Sequence, residues 1–309
     1  MIEQRLLQRI NEKKERLDAL RPLPDWILAR LRQSLNLEWI YNSNAIEGST
    51  LTLQETRLIL ETGLTIGGKS IREHFEVINH QEAIVYIEDL VGQDVEITPY
   101  HVRQIHQLVL ANIDDTNAGQ YRKTSVRIAG ADHTPPDAWE IPQLLSDWGD
   151  WLVRAQGEEN PVVLAAQAHH RLVAIHPFID GNGRTARLVM NLILMKNGYP
   201  PTVIERINHQ QYYRVLSQAD KGQLPPLINF TARAVEKSLT LYLEAFTPQP
   251  GPPVNDEIWI PLREAAEGTS YSQEYLSLLA RKGQLEAVKR GRNWYTSRRA
   301  VQEYIRSLN

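Results

Sequence analysis

The chain has 309 residues, 42% of them apolar, which suits a packed main domain plus an appendage. It contains no cysteine, which excludes disulfides, zinc-thiolate sites and thiol nucleophiles and fits a reducing compartment. The net charge of -3 is unevenly divided: residues 258–309 hold nine Lys/Arg against five Asp/Glu, so a basic tail of +4 follows an acidic body of -7.

The body reads as helices. The opening stretch, "MIEQRLLQRINEKKERLDAL", is charged throughout, and the longest apolar run, "LVMNLILM", is far too short to cross a bilayer. An unexported cytoplasmic protein with no membrane partner is therefore expected. "PDWILARLRQSLNLEWIYNSNAI" opens on proline and aspartate, carries Ile27, Leu31 and Leu35 at helical spacing, and stops near Gly48. Thr52 and Glu55 form a capping box before "TRLILETG". Further helices are predicted over "IREHFEVINHQEAIVYIEDLV", over "TPYHVRQIHQLVLANI" with proline in its first turn, and over "IPQLLSDWGDWLVRAQ". Only "TSVRIAGADHTPP" alternates with period two, and its Gly-Ala-Asp turn followed by prolines predicts a short hairpin. "NPVVLAAQAHHRLVAI" has an asparagine N-cap and a proline at the first helical position, and "RTARLVMNLILMKNG" ends on a glycine suited to a helix end. His101, His106, His169 and His170 read as packing or surface residues. The expected organisation is an N-terminal helical region (1–98), a core (99–246), the proline-rich linker "TPQPGPPVNDE" (247–257) and a basic module (258–309).

The chemistry concentrates between the last two of these helices, in "HPFIDGNGRTAR", His176 to Arg187. Gly181 and Gly183 let backbone N–H groups approach a ligand where the next helix presents unpaired donors and a positive dipole, an anion site suited to phosphates. Arg184 and Arg187 are three apart on the first helical turn, hence on one face, and each can clamp phosphate oxygens bidentately; two arginines suit a polyphosphate. His176, with an ordinary pKa of about 6.5, can take the proton of an attacking hydroxyl. Asp180 is a hard oxygen ligand suited to Mg²⁺ beside phosphates. Phe178 and Ile179 are expected to anchor the loop in the core. The set implies transfer of a phosphorus group, catalysed by positioning and charge neutralisation. "GNGRTA" also fits the dinucleotide pattern G-x-G-x-x-A, but no strand precedes it and no βαβ unit follows.

At every specified position this stretch resembles the signature of the Fic-domain adenylyltransferases, histidine-any-phenylalanine-any-acid-GNGR-any-any-arginine, and the similarity extends over roughly residues 40–240. "SNAIEGS" resembles the family's inhibitory motif through Ser43, Glu47 and Gly48. "YRKTSVRIAGADHTPP" resembles its flap hairpin, and "QYYRVLSQAD" the segment that closes on the nucleobase. The resemblance implies a mostly α fold, a helical core with a β-hairpin flap, and transfer of AMP from ATP to a Ser, Thr or Tyr hydroxyl of a target protein with Mg²⁺. It implies His176 as general base and Asp180 as the Mg²⁺ ligand. Gly181, Asn182 and Gly183 would line the α-phosphate, Arg184 the β-phosphate and Arg187 the γ-phosphate, with Thr185 and Ala186 in the same nucleotide-binding stretch. The flap residues Ala129, Gly130, Ala131, Asp132 and His133 would hold the target by main-chain pairing. Tyr212 and Tyr213 would flank adenine near Asp220, which stands where an asparagine is more familiar. Glu47, competing with the γ-phosphate for Arg187, would hold the enzyme in check.

The tail, from "IPLREAAEG" through "YLSLLARKG" to "GRNWY", resembles small winged helix-turn-helix modules of excisionase type. Lys289, Arg290 and Arg292 would lie on the wing, where DNA phosphates can be met. Such modules also dock proteins or form homodimers, so both kinds of partner stay open. Two readings of the body stay open as well: a DNA-binding regulator whose pocket only senses a nucleotide, and a related enzyme that moves another phosphate-linked group or removes AMP. An intact His176 argues against the sensor, which needs the cradle but not the base.

Overall fold

The structure is a computed structural model that describes residues 1–23, 25–93, 95–128, 130–246, 259–267, 269, 271–282, 284–291 and 293–307. The chain divides into two compact units, Met1–Thr247 and Pro248–Asn309. The linker expected at 247–257, Ala129 of the flap and Arg292 of the wing lie outside the described residues.

The larger unit is built of α1 (Gln4–Ala19), α2 (Asp25–Ile46), α3 (Leu53–Thr62), α4 (Ile71–Gly92), α5 (Pro99–Leu110), α6 (Ile141–Ala155), α7 (Pro161–Ile175), α8 (Asn182–Lys196), α9 (His209–Asp220) and α10 (Leu224–Phe246). Local chemistry sets many of these boundaries. The Thr52 hydroxyl accepts the Glu55 N–H at 3.2 Å while the Glu55 carboxylate accepts the Thr52 N–H at 2.7 Å, so α3 begins in a capping box. Ser70 and Glu73 start α4 in the same way. Pro99 and Pro161 open α5 and α7, and the Asn160 side chain accepts the Val162 N–H at 3.0 Å.

α8 is the central rod. Leu188, Val189, Leu192, Ile193 and Leu194 are at most 1% exposed, as expected of a helix apolar on every side, and α7, α4, α5 and α2 surround it. Charge hides the role of α1 in the sequence. Its Leu6, Ile10 and Leu17 nevertheless form a buried stripe against α10, flanked by Arg9 and Lys13 at 2.7 and 2.9 Å from Glu236. This long-range packing joins residues 1–98 and 99–246 in one unit. Among the described residues no helix is long and apolar enough to cross a membrane.

Residues 124–136 depart from the expected hairpin. They form no β-ladder among the described residues, only an irregular excursion with a turn in which the Ala131 N–H donates to the Ile128 carbonyl at 3.2 Å. Pro135 and Pro136 have no N–H to donate. The carbonyls of Thr124 and Pro136 are instead taken by the Arg122 guanidinium at 2.9 and 2.6 Å, which closes the base of the excursion in place of ladder bonds.

The smaller unit runs β1 (Ile260–Pro261), α11 (Leu262–Ala266), α12 (Gln273–Arg281), β2 (Ala287–Arg290), β3 (Asn293–Thr296) and α13 (Arg298–Ser307). Its antiparallel sheet has the order β1-β3-β2, with Ala287 opposite Thr296 and Arg290 opposite Asn293. Leu262, Leu276, Leu279, Leu285 and Val301 give it a core of its own.

Candidate active site

The loop between α7 and α8 is fixed from both ends. α7 gives way to it at His176, whose backbone is left-handed (φ 50°, ψ 58°). A non-glycine residue there costs roughly 1–2 kcal/mol. Two backbone bonds hold it: the His176 N–H donates to the Leu172 carbonyl at 3.0 Å, and the His176 carbonyl accepts from Arg122 Nε at 2.8 Å. At the other end the Asn182 side chain accepts the Phe178 N–H at 3.0 Å and donates to the Phe178 carbonyl at 2.9 Å. Both its polar atoms thus close the loop, which leaves only the backbone of Asn182 to face a ligand. Gly181 sits at φ 74°, and a Cβ there would meet Val109 and His106 at 3.3–3.4 Å, so glycine is required twice over.

Phe178 anchors the loop, 1% exposed and stacked face to face on His106 with centroids 3.6 Å apart. Ile179, expected as a second anchor, is instead 42% exposed. His106 is more than a packing residue. Its Nδ1 accepts the Gly119 N–H at 2.9 Å, so the ring proton is on Nε2, which donates to the Asp180 carbonyl at 2.9 Å. Burial pushes its pKa down to about 4 against the opposing Asp180 carbonyl, so the ring stays neutral and in one tautomer.

The cradle is built around two buried arginines on α8. Arg187 donates from Nε to the Ser43 hydroxyl at 3.1 Å and from Nη2 to the Ser43 carbonyl at 2.8 Å, and Nη2 also lies 2.8 Å from Glu47 Oε1. Glu47 is delivered there by the end of α2. The Gly48 N–H donates to the Ala45 carbonyl at 3.3 Å and the Ser49 N–H to the Asn44 carbonyl at 3.1 Å, a Schellman pair that needs the positive φ of Gly48, 102°. The carboxylate lies directly over Gly183, where any Cβ would collide with it. A negative charge therefore already sits at the amino end of α8, where the dipole favours one.

Arg184 differs from its neighbour. Nη1 lies 3.1 Å from Glu76 and Nη2 3.6 Å from Asp180, yet Nε and Nη1 make no aligned hydrogen bond. Buried donors without acceptors are rare and costly, and an anion satisfies them. Asp180 is about half-exposed; its carboxylate accepts the Gly181 N–H at 2.6 Å and pairs with Arg72. Burial raises its pKa, but Arg184, the Gly181 amide and Arg72 outweigh burial and hold the group ionised. Among the described residues no three His, Asp or Glu side chains gather to hold a metal by themselves. The Asp180 carboxylate beside an anion cradle does fit Mg²⁺ completed by phosphate oxygens and water.

Burial pushes the His176 pKa down; the Val173 backbone and the Glu47 carboxylate oppose this, while Arg122 and His133 reinforce it. The imidazole is therefore neutral at pH 7 and able to accept a proton. Tyr212 turns inward beside the cradle. It is 1% exposed, its hydroxyl lies 2.8 Å from His169 Nε2 and beside Arg187, and burial pushes its pKa up to about 12. Tyr213 is the exposed member of the pair, donating to the Ile46 carbonyl at 3.2 Å. The Asp220 carboxylate is held by His170 at 2.9 Å. Of the flap residues, Asp132 pairs with Lys221 at 3.3 Å and His133 Nε2 donates to the Ala174 carbonyl at 2.8 Å, while Gly130 and Ala131 form the exposed turn. Arg72, Glu76, His106, Arg122 and His169 all serve this site from outside the signature. For His106 a signal existed, a polar ring on the apolar face of Val102, Ile105 and Val109.

Residues 96–194 match the Fic/DOC family. Protein adenylyltransferase Fic of Drosophila grimshawi is 40% identical over 250 residues, which is 81% of this chain and 51% of that protein. The chain spans about half the length of the curated relatives it matches. Fic-1 from C. elegans has the same fold with a TM-score of 0.72 and 35% identity over 78% of this chain and 71% of its own. The chain belongs to the Fic/DOC family. A Fic domain containing signaling protein from Bacteroides thetaiotaomicron VPI-5482 agrees, at 30% identity and a TM-score of 0.71 over 77% of this chain and 96% of that one. The Fic signature is the stretch His176–Arg187 that joins α7 to α8, and the Fic resemblance read from the sequence is borne out.

Proposed function

We propose that this Fic chain is a protein adenylyltransferase, held in check by Glu47. The observation that supports it is the seating of the Glu47 carboxylate on Arg187 over Gly183, an acid in a cradle shaped for a phosphate chain. The target hydroxyl oxygen forms a bond to the α-phosphorus of ATP as the bond to the β-bridging oxygen breaks; pyrophosphate leaves, and the hydroxyl proton passes to His176. Arg184 and Arg187 hold the β- and γ-phosphates and offset charge on the leaving group. Asp180 would hold Mg²⁺, which supplies further neutralisation of the phosphates. The flap residues Gly130 to His133 would take the target segment by main-chain pairing. Incubation of the Glu47→Gly chain, freed of the brake, with Mg²⁺ and ATP labelled at either the α- or the γ-phosphorus tests this reading. Label is expected on protein from the α-position alone; label from the γ-position would mean phosphate transfer, and none from either would discard the transferase.

We also propose that the smaller unit is a winged helix that contacts DNA. Gln273, Ser277 and Arg281 recur every four residues on α12, and Arg263, Lys289 and Trp294 line the same groove. That combination of amide, cations and aromatic suits base edges and phosphates. Removing residues 258–309 is expected to leave a folded, active enzyme, since the larger unit carries the whole catalytic loop and its own core. Duplex DNA titrated at two salt concentrations should bind the full chain more weakly at the higher one and the shortened chain not at all. No binding to the full chain at low salt discards the nucleic-acid role.

A further inference from the structure

Arg122 lies outside the signature, 54 positions before His176 and only 3% exposed. Its guanidinium makes three hydrogen bonds, all to carbonyls: Nε to His176 at 2.8 Å, Nη1 to Thr124 at 2.9 Å and Nη2 to Pro136 at 2.6 Å. Its own N–H donates to the Pro177 carbonyl at 2.9 Å. A buried arginine ordinarily has a carboxylate partner. Here no ion pair to Arg122 forms among the described residues, and the planar fork is spent on backbone instead. Two of the three carbonyls are the feet of the flap, and the third belongs to the residue that would accept the proton, in a left-handed conformation at the carboxyl end of α7. A cation there also complements the helix dipole.

We infer that Arg122 is a positioning residue that ties both feet of the flap to the backbone of His176, so that a segment paired to the flap presents its hydroxyl in register with the imidazole. The consequence for activity rests on the adenylyltransferase reading. Among the described residues the flap makes no ladder of its own, so without Arg122 its two feet lose the guanidinium that joins them, and the His176 carbonyl loses its donor. Lysine does not substitute, because a compact ammonium cannot span three carbonyls arranged around a planar fork.

The test compares Arg122→Ala and Arg122→Lys, each in the full chain carrying Glu47→Gly, with that chain alone. ATP affinity, measured with a fluorescent ATP analogue, is expected to stay close to the parent value, since Arg184, Arg187 and the glycine loop are untouched. Transfer of label from α-labelled ATP should fall on the order of 10²-fold in both, the scale for a misplacement of about 1 Å. Guanidinium ion, but not ammonium, should restore part of the loss in Arg122→Ala. Amide exchange should speed up together in 124–136 and 176–180 while α8 stays protected. Transfer near the parent rate, loss of ATP affinity in step with transfer, or a flap that loosens without the 176–180 segment would each overturn the proposal. If the parent takes no label, the transferase reading fails, and amide exchange alone then decides whether Arg122 couples flap to histidine.

Discussion

Glu47→Gly is expected to take up label from ATP severalfold faster than the parent chain, and Arg187→Ala is not. The reason is competition for one guanidinium. Glu47 holds Arg187 Nη2 at 2.8 Å and covers Gly183, so a γ-phosphate arriving at Arg187 finds its partner taken and its space filled. ATP can still enter, but with the γ-phosphate displaced its α-phosphorus no longer lies in line with the incoming hydroxyl; about 1 Å of misplacement costs on the order of 10²-fold. Glycine at 47 removes the carboxylate at little cost to the fold, because the residue only ends α2 and its side chain is about one-third exposed. Arg187→Ala removes brake and clamp together and strips the Ser43 hydroxyl and carbonyl of their donor. Both variants are to be compared side by side with melting curves alongside. Unchanged or lower labelling in a folded Glu47→Gly would remove self-inhibition and leave only the transferase.

His176→Ala in the Glu47→Gly chain is expected to lose transfer by on the order of 10²-fold or more and to keep its affinity for ATP, because a general base would act on the proton while Arg184, Arg187 and the amino end of α8 would hold the phosphates. Alanine tolerates the left-handed backbone at 176 poorly, so His176→Asn, which accepts it more readily, is the companion variant and is expected to behave alike. The pH dependence follows from the charge environment. Burial depresses the His176 pKa, so its basic form persists below the usual histidine range; transfer by Glu47→Gly should rise with pH through that lowered pKa and be flat by neutrality. Glu47 favours the protonated imidazole, so its removal depresses the pKa further and moves the acid limb to lower pH. An active His176→Ala, or an acid limb that persists unchanged in a partly active His176→Asn, would mean that another group takes the proton.

Local sequence by itself determined the parts of this protein that neighbours in the chain can settle. The spacing of Arg184 and Arg187 puts them on one helical turn wherever α8 lies. Capping boxes at Thr52 and Ser70, prolines at the starts of α5 and α7, and the glycine after Glu47 set element ends through bonds within five residues. For that reason the signature loop, its anion character and the family were all legible. Tertiary structure alone decided which elements meet. Periodicity says that a helix has an apolar face but not what covers it, and so the buried stripe of α1 against α10 and the inward turn of Tyr212 onto His169 were hidden. It also decided that Ser43 and Glu47 close on an arginine 144 positions beyond Ser43, that His106 holds the Asp180 carbonyl, and that the flap is closed by one guanidinium instead of a ladder. Each of these contacts joins groups from separate elements. Their geometry exists only once those elements are packed together and bring the groups within bonding distance.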